Sequence, residues 1–367
     1  VEEITERELQ AIGAGKTEKV PGGLYFEGDQ DVLYKAHLWL RTGNRILLPL
    51  RTFPCRSPED LYENLLKFKW ETFLTGDRTF SVDCTLSGRL SPQLNHSQYA
   101  KLKAKDAIVD RMREKTGSRP NVDVEDPDIR VVLYVRDGQA TLNMDATGHP
   151  LHERGYRSRD AAAPLKETLA AAILALAEWD GKTPLVDPMC GSGTLLLEAG
   201  LIATNTAPGL LRDRFLFMNW PDFYQPRWEK LVAEAEAAKR PLPKDFLFGF
   251  DMDSEPIRQA RHSLKIMGFE DVKLERRRFE EFTPPAGLEK GFLVMNPPYG
   301  DRLGNEEELK PLYKLMGDTF KKQLKGWRAC IFTGSSPLAK SVGLRPTRKI
   351  PLWNGPIECR LLTYDMY

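Results

Sequence analysis

The chain has 367 residues, 53 Lys+Arg against 52 Asp+Glu, with 41% hydrophobic and 10% aromatic side chains. That is enough apolar material for two or three packed domains, and it excludes a disordered, collagen-like or coiled-coil chain. A net charge of +1 excludes a global field that gathers polyanions, so any nucleic acid has to be held by local patches.

Glu3 to Ile12 reads as a helix already under way near Val1, so an upstream segment is expected. Gly22 to Glu27 is strand-like, Asp31 to Arg41 helical, Arg45 to Thr52 a strand and Pro58 to Lys67 a helix. Phe80 to Leu86 alternates like a half-buried strand. Tyr99, Leu102, Ile108, Val109 and Met112 mark a long amphipathic helix stopped by Gly117. Val131 to Val135 and Ala140 to Met144 flank Asp137-Gly138, a hairpin turn. From about residue 160 the pattern changes. A helix is expected from Pro164 to Trp179, and strands and helices then alternate. Strands are expected at Leu185-Val186, Phe246–Phe250, Val272–Leu274, Phe292–Met295 and Ala329–Thr333, with helices to Ala203, over Pro256–Met267 and over Leu309–Leu324. Such alternation predicts a mostly parallel, doubly wound sheet. The last strand, Glu358 to Tyr364, has no room for a crossover helix and should run antiparallel. A polar, Arg-rich stretch from His152 to Asp160 reads as a linker.

Five scattered cysteines lack C-x-x-C spacing, which argues against a zinc site and a disulfide framework. His149 and His152 have no companion ligands, so no metal is expected. No secretory leader opens the chain and no apolar run reaches the ~18 residues that span a bilayer, so a cytoplasmic protein with no membrane partner is expected.

Three strand ends carry chemistry. Leu185-Val-Asp-Pro-Met-Cys-Gly-Ser-Gly-Thr194 is a strand, a glycine turn and a helix start. Gly191 and Gly193 allow close approach of a ligand, and the helix N-terminus suits a carboxylate. It is neither a dinucleotide fingerprint nor a P-loop. Cys190 within the turn reads as a packing residue. Phe248-Gly-Phe-Asp251 ends the next strand, where a carboxylate can accept bonds from vicinal ribose hydroxyls; Asp253 could serve as a plain helix N-cap. Met295-Asn-Pro-Pro-Tyr-Gly300 follows a third apolar strand. The lone pair of an exocyclic base amine is delocalised into its ring. The Asn296 side-chain oxygen and the Pro297 carbonyl can accept both amine hydrogens, turning the lone pair toward a methyl donor. The prolines stiffen the loop, and Tyr299 offers a ring to a flipped-out base.

Taken in order, Leu151-His-Glu-Arg-Gly-Tyr-Arg157, Ala163-Pro-Leu-Lys-Glu167, the Asp187 turn, Ala207-Pro-Gly-Leu210, Asn296-Pro-Pro-Tyr-Gly-Asp-Arg-Leu303 and Trp353-Asn-Gly-Pro356 resemble the THUMP-domain 23S rRNA guanine-N2 methyltransferases of the RlmL type. Gly22 to Gly28, Leu38-Trp-Leu-Arg-Thr42 and His96 to Asp110 extend the resemblance over most of the chain. It implies an α/β fold class: an N-terminal α+β region, ferredoxin-like over residues 1–50 and THUMP over 51–150, then a class I S-adenosylmethionine-dependent Rossmann-like methyltransferase over 151–367. The second fused methyltransferase domain of some relatives is not in this sequence. Carried over, Asp187, Gly191 and Gly193, with Pro188 and Thr194 of the same turn, line the methionine end of the S-adenosyl-L-methionine cofactor. Asp251 binds its ribose. Asn296, Pro297 and Tyr299 hold the target guanine, and Asn296 also borders the cofactor. No acidic residue for the adenine stands out at Arg276-Arg-Arg-Phe279. The implied partner is RNA, 23S rRNA first. Asn95–Arg119 and Lys321–Lys349, with seven and eight basic residues, could neutralise phosphates. Alternatives left open are a tRNA guanosine, N6-adenine in DNA, a protein glutamine amide, and a non-catalytic RNA-binding assembly factor.

Overall fold

A computed structural model describes residues 1–75, 77–157, 165–299 and 306–367. Two compact units emerge, each assembled from separated stretches of chain. Residues 1–43, 152–211 and 230–367 form one; residues 44–151 and 212–229 form the other.

The chain opens with α1 (Glu2–Ala11), the ribbon β1 (Thr17–Val20) and β2 (Gly23–Phe26), and α2 (Gln30–Trp39). Gly22 turns the ribbon at φ +79°, which favours glycine. β1 was not expected; neither of its faces is buried, so it has no clear apolar alternation. Asp29 caps α2 by accepting from the Val32 amide at 3.0 Å.

The middle unit holds β3 (Leu47–Pro54), α3 (Pro58–Leu66), β4 (Phe80–Ser87), α4 (Ser97–Thr116), β5 (Ile129–Arg136) and β6 (Gln139–Asp145). Its sheet runs β3-β6-β5-β4, with β4 parallel to β5 and the other pairs antiparallel. Local chemistry accounts for the helix and hairpin ends. Ser57 and Asp60 form a capping box with Pro58 at the first turn of α3, Gly117 ends α4 at φ +70°, and Asp137 and Gly138 both take positive φ in the hairpin. Residues 212–229 return to this unit from far along the chain. The Phe217 amide donates to Ala146 O at 2.9 Å, Arg214 bridges Asp126 and Asp128, and Trp228 packs edge-on against Phe215 and Phe217.

The larger unit continues with α5 (Glu167–Leu176), β7 (Leu185–Asp187), α6 (Thr194–Ala203), the part of α7 (Gln225–Ala237) from residue 230 on, β8 (Leu247–Asp251), α8 (Ser254–Ile266), β9 (Lys273–Arg276), β10 (Phe292–Met295), α9 (Glu306–Gln323), β11 (Arg328–Thr333), α10 (Ser336–Ser341), β12 (Arg348–Asn354) and β13 (Ile357–Asp365). Pro164, the expected helix start, lies outside the described residues. α5 also stops short of Trp179, because Glu178 adopts φ +59° and breaks the helix.

The seven-stranded sheet has the order β12-β13-β11-β10-β7-β8-β9. β7 to β11 pair in parallel, and β13 runs antiparallel between β11 and β12. β12 was not expected. It is an edge strand carrying Lys349 and Pro351, residues that blunt an edge and mask the strand pattern. Alternate strand residues feed two cores. Leu185, Val294 and Phe332 pack on one face with Ile173, Leu195 and Leu264, while Val186, Leu293 and Ile331 pack on the other with Tyr313, Met316 and Phe320. Each such fully buried aliphatic side chain contributes about 1.5–3 kcal/mol. From β7 the chain moves outward to β8 and β9, then returns to β10 on the other side of β7. This is the topological switch point at which open α/β sheets form a ligand crevice past the strand ends.

Candidate functional site

β7 and β10 are neighbours, in the register Phe292↔Leu185 and Leu293↔Val186, so their ends lie side by side at the switch point. Asp187 ends β7 at 1% exposure. Its carboxyl is pushed well above the usual carboxylate range, first by burial, then by the nearby Asp251, against a bond from the Met189 amide at 3.1 Å. The turn that follows is closed by its own backbone. The Cys190 amide donates to Phe250 O and the Gly193 amide to Cys190 O, both at 2.8 Å. The Gly191 amide donates to Asp251 Oδ2 at 2.8 Å. Gly191 and Gly193 both take positive φ, +53° and +80°. A Cβ at Gly191 would meet nothing within 4 Å, so the turn faces open space there. Underneath it is tight: a Cβ at Gly249 would fall 2.5 Å from Leu196 and 3.2 Å from the Cys190 sulfur. Cys190 is therefore a packing residue, and burial pushes its thiol far above the nucleophilic range.

Asp251 ends β8 and is half-buried. Its second oxygen accepts from the Asp253 amide at 3.0 Å. Asp253 occupies the N-cap position of α8 but makes no side-chain cap bond.

The Asn-Pro-Pro-Tyr loop is held at its flanks. Tyr313 donates its hydroxyl to Pro298 O at 3.2 Å, with the Thr333 hydroxyl 2.9 Å away. Asn354 donates to the Tyr299 hydroxyl at 3.1 Å, and the Tyr299 ring meets Phe332 edge-on. Gly334, past the end of β11, gives that ring room, since a Cβ there would fall 2.8 Å from it. Asn296 Oδ1, by contrast, is buried and has no hydrogen-bond partner among the described residues. Such an acceptor costs about 1–3 kcal/mol when left empty. Gly300 to Leu303 lie outside the described residues.

The Arg-rich stretch before the larger sheet is not a solvated linker. Arg154 is 2% exposed and grips the fully buried Glu198 of α6 through Nε and Nη2, each at 3.3 Å. Tyr156 donates to the same carboxylate at 3.0 Å, and Arg154 Nη2 also donates to Arg41 O at 2.6 Å. Breaking a pair of this kind costs about 3–5 kcal/mol. The spacing of arginines carried no sign of this; the one available signal was Glu198 on an otherwise apolar helix.

The two basic stretches differ. On α4, Lys101, Lys105, Arg111, Arg113 and Lys115 each pair with a carboxylate, and Lys103 lies over the rings of Tyr62 and Tyr99. The charge on that helix is largely paired. Over 321–349, Lys321, Arg328 and Arg348 are paired, whereas Lys322, Lys325, Lys340, Arg345 and Lys349 make no ion pair among the described residues. Among the described residues no group of His, Cys, Asp and Glu could hold a metal ion, and no helix is long and apolar enough to cross a membrane.

Comparison with known proteins matches three stretches of the chain. Residues 154–363 match the RMKL-like methyltransferase domain, residues 55–145 the THUMP domain and residues 1–47 the RlmL ferredoxin-like domain. A Synechocystis protein named a candidate RNA methyltransferase, slr0064, is 40% identical over 100% of this chain and 94% of its own. The ribosomal RNA large subunit methyltransferase K/L of Syntrophotalea carbinolica is 41% identical over 100% of this chain and 52% of its own. The chain thus spans about half the length of its K/L relatives. Among solved structures, SMU.472, described as a candidate methyltransferase complexed with SAH, superposes with TM-score 0.89 at 31% identity, over 100% of this chain and 95% of that one. A Listeria monocytogenes protein described as a predicted N6-adenine-specific DNA methylase reaches 0.86 at 30% identity, over 100% and 93%.

Proposed function

The chain belongs to the RMKL-like methyltransferase family, with THUMP and RlmL ferredoxin-like domains, and on that premise we propose that it methylates the exocyclic N2 amine of a guanosine in 23S rRNA. The cofactor is S-adenosyl-L-methionine. The site suits it. Open space faces Gly191, and the close pair Asp187 and Asp251, whose proximity helps raise the Asp187 carboxyl, would be relieved by a ligand that brings positively charged sulfonium and ammonium groups. Asp187, Pro188, Gly191, Gly193 and Thr194 would hold its amino-acid end and Asp251 its ribose. When bound, it supplies an electrophilic methyl group.

The observation that carries the reading is the empty acceptor on Asn296. Its Oδ1 takes one amine hydrogen of the target base and Pro297 O the other, which turns the nitrogen lone pair toward the methyl group and relieves the positive charge that grows on nitrogen. Tyr313, through Pro298, keeps that loop from shifting, and Tyr299, braced by Asn354, offers its ring to the base. The departing proton passes to water, so no general base is required. A paired guanine has to leave the stack to reach this loop. In this reading residues 1–50 and 51–150 act as the ferredoxin-like and THUMP modules that engage RNA, residues 151–367 catalyse, and the enzyme works in the cytoplasm, where its five free cysteines stay reduced.

The test is methyl transfer from labelled cofactor to naked 23S rRNA, 16S rRNA, bulk tRNA and DNA, followed by nucleoside digestion. N2-methylguanosine in 23S rRNA alone, lost with Asn296→Ala, is the expected outcome. The name of the Listeria relative makes N6-methyladenine in DNA the second reading, and label there or in tRNA would overturn the first.

A further inference from the structure

The stretch that reads as a linker holds a second arginine. The Arg157 side chain is 10% exposed. Its Nη2 donates to the hydroxyl of Thr194, the first residue of α6. Its Nη1 lies 3.2 Å from Glu167 Oε1, on the first residue of α5. The guanidinium therefore ties together the N-terminal ends of two ten-residue helices. Both ends present unpaired amides and partial positive charge, which repel a cation. Glu167 is its single carboxylate partner among the described residues. Arg157 Nε and Nη1 are buried and make no hydrogen bond among the described residues. A guanidinium cannot shed its proton, and this one keeps donors that no group among the described residues answers. One anion would answer the two helix ends and the arginine together.

We propose that Arg157 anchors the carboxylate of the cofactor's amino-acid end, holding it against the N-termini of α5 and α6. The inference rests on the S-adenosylmethionine reading above. α6 starts directly after the Gly191–Gly193 turn, so the same end of the ligand that meets the turn meets Arg157. A planar guanidinium with free donors binds a carboxylate with geometric selectivity as well as charge. Arg157 then makes the site discriminate S-adenosylmethionine from adenosyl sulfonium compounds that lack the carboxylate.

The experiment titrates the full chain with S-adenosylmethionine and with its decarboxylated form, which differ only in that group. Wild type should prefer the former. Arg157→Met should weaken S-adenosylmethionine about 10- to 100-fold and leave the decarboxylated compound within roughly twofold. Arg157→Lys, which keeps the charge, should recover part of the preference, and it carries the comparison if Arg157→Met does not fold by circular dichroism. An unchanged preference in the variants overturns the assignment, and a parallel fall of both ligands would mark Arg157 as merely structural. Failure of wild type to bind either compound overturns the cofactor reading itself, a separate outcome.

Discussion

The turn after β7 and the loop after β10 end adjacent strands of one sheet, yet they treat their polar atoms in opposite ways. The glycine turn is closed. Its amides find Phe250 O, Cys190 O and the Asp251 carboxylate, and it is packed tightly from beneath through Gly249. The Asn-Pro-Pro-Tyr loop is clamped at Pro298 and Tyr299 but leaves the Asn296 oxygen buried and unanswered among the described residues. The first is rigid because folding satisfies it. The second is rigid because its flanks are held, and it remains short of a donor. A site that must accept hydrogen bonds from a substrate has to tolerate that shortfall in the free protein.

The largest break in this contrast is expected from Asn296→Ala. Single-turnover methyl transfer should fall about 10²–10³-fold, the range for losing one preorganised polar contact to a transition state. The melting temperature should not fall, since the Asn296 oxygen has no hydrogen bond to lose among the described residues; a clear drop would mean that the loop closes on itself after all. Asp251→Ala tests the other half. It strands the Gly191 amide, so stability should fall by about 1–3 kcal/mol in denaturant titrations, with cofactor affinity falling alongside. Asp187→Asn should separate stability from binding. The folded carboxyl titrates above the unfolded value of 3.8, so the folded state holds the proton more tightly, and Asp187 costs stability as pH rises from that value through the folded one. The variant should match wild type below pH 3.8, melt higher at neutral pH, and bind the cofactor more weakly. The smallest effect is expected from Asn354→Ala, which removes the brace on the Tyr299 hydroxyl. A stability loss of about 0.5–1.5 kcal/mol and a several-fold slower transfer, read by melting and steady-state kinetics, would show that the clamp is shared with Tyr313.

Both motif turns were legible because glycine and proline punctuate apolar strands there, and the physical demands of a tight turn are local. The doubly wound sheet was legible from alternation, and the antiparallel end of β13 from the shortness of its approach. β12 was missed because Lys349 and Pro351 sit on an edge strand and break the expected pattern. The return of residues 212–229 to the middle unit was missed because Phe215, Phe217 and Trp228 bear no relation in spacing to the sheet they cover. Arg154 and Arg157 read as solvated linker charges. Their partners, Glu198, Thr194 and Glu167, lie 44, 37 and 10 residues away, and no local pattern announces a buried charge pair across that distance. On α4 the basic residues and the carboxylates of Asp106, Asp110 and Glu114 beside them were visible, but not the partners Asp83 and Glu71, which come from other elements.

The discontinuous larger unit sets an order of events during synthesis. Arg41 donates to the carbonyls of Leu201 and Thr206, which follow it by 160 and 165 residues. Residues 1–43 therefore emerge from the ribosome well before those partners exist, and at an elongation rate of about 5–20 residues per second the wait is on the order of 10 s. Leu9, Tyr34 and Leu38 are each at most 1% exposed in the finished protein, and whatever part of that cover the later residues supply is missing for that interval. The contacts that complete this unit carry high contact order, which slows closure further. Aggregation of nascent chains should concentrate in the window before residue 206 is made, and holding the first helices covered until then is a job for a chaperone at the tunnel exit.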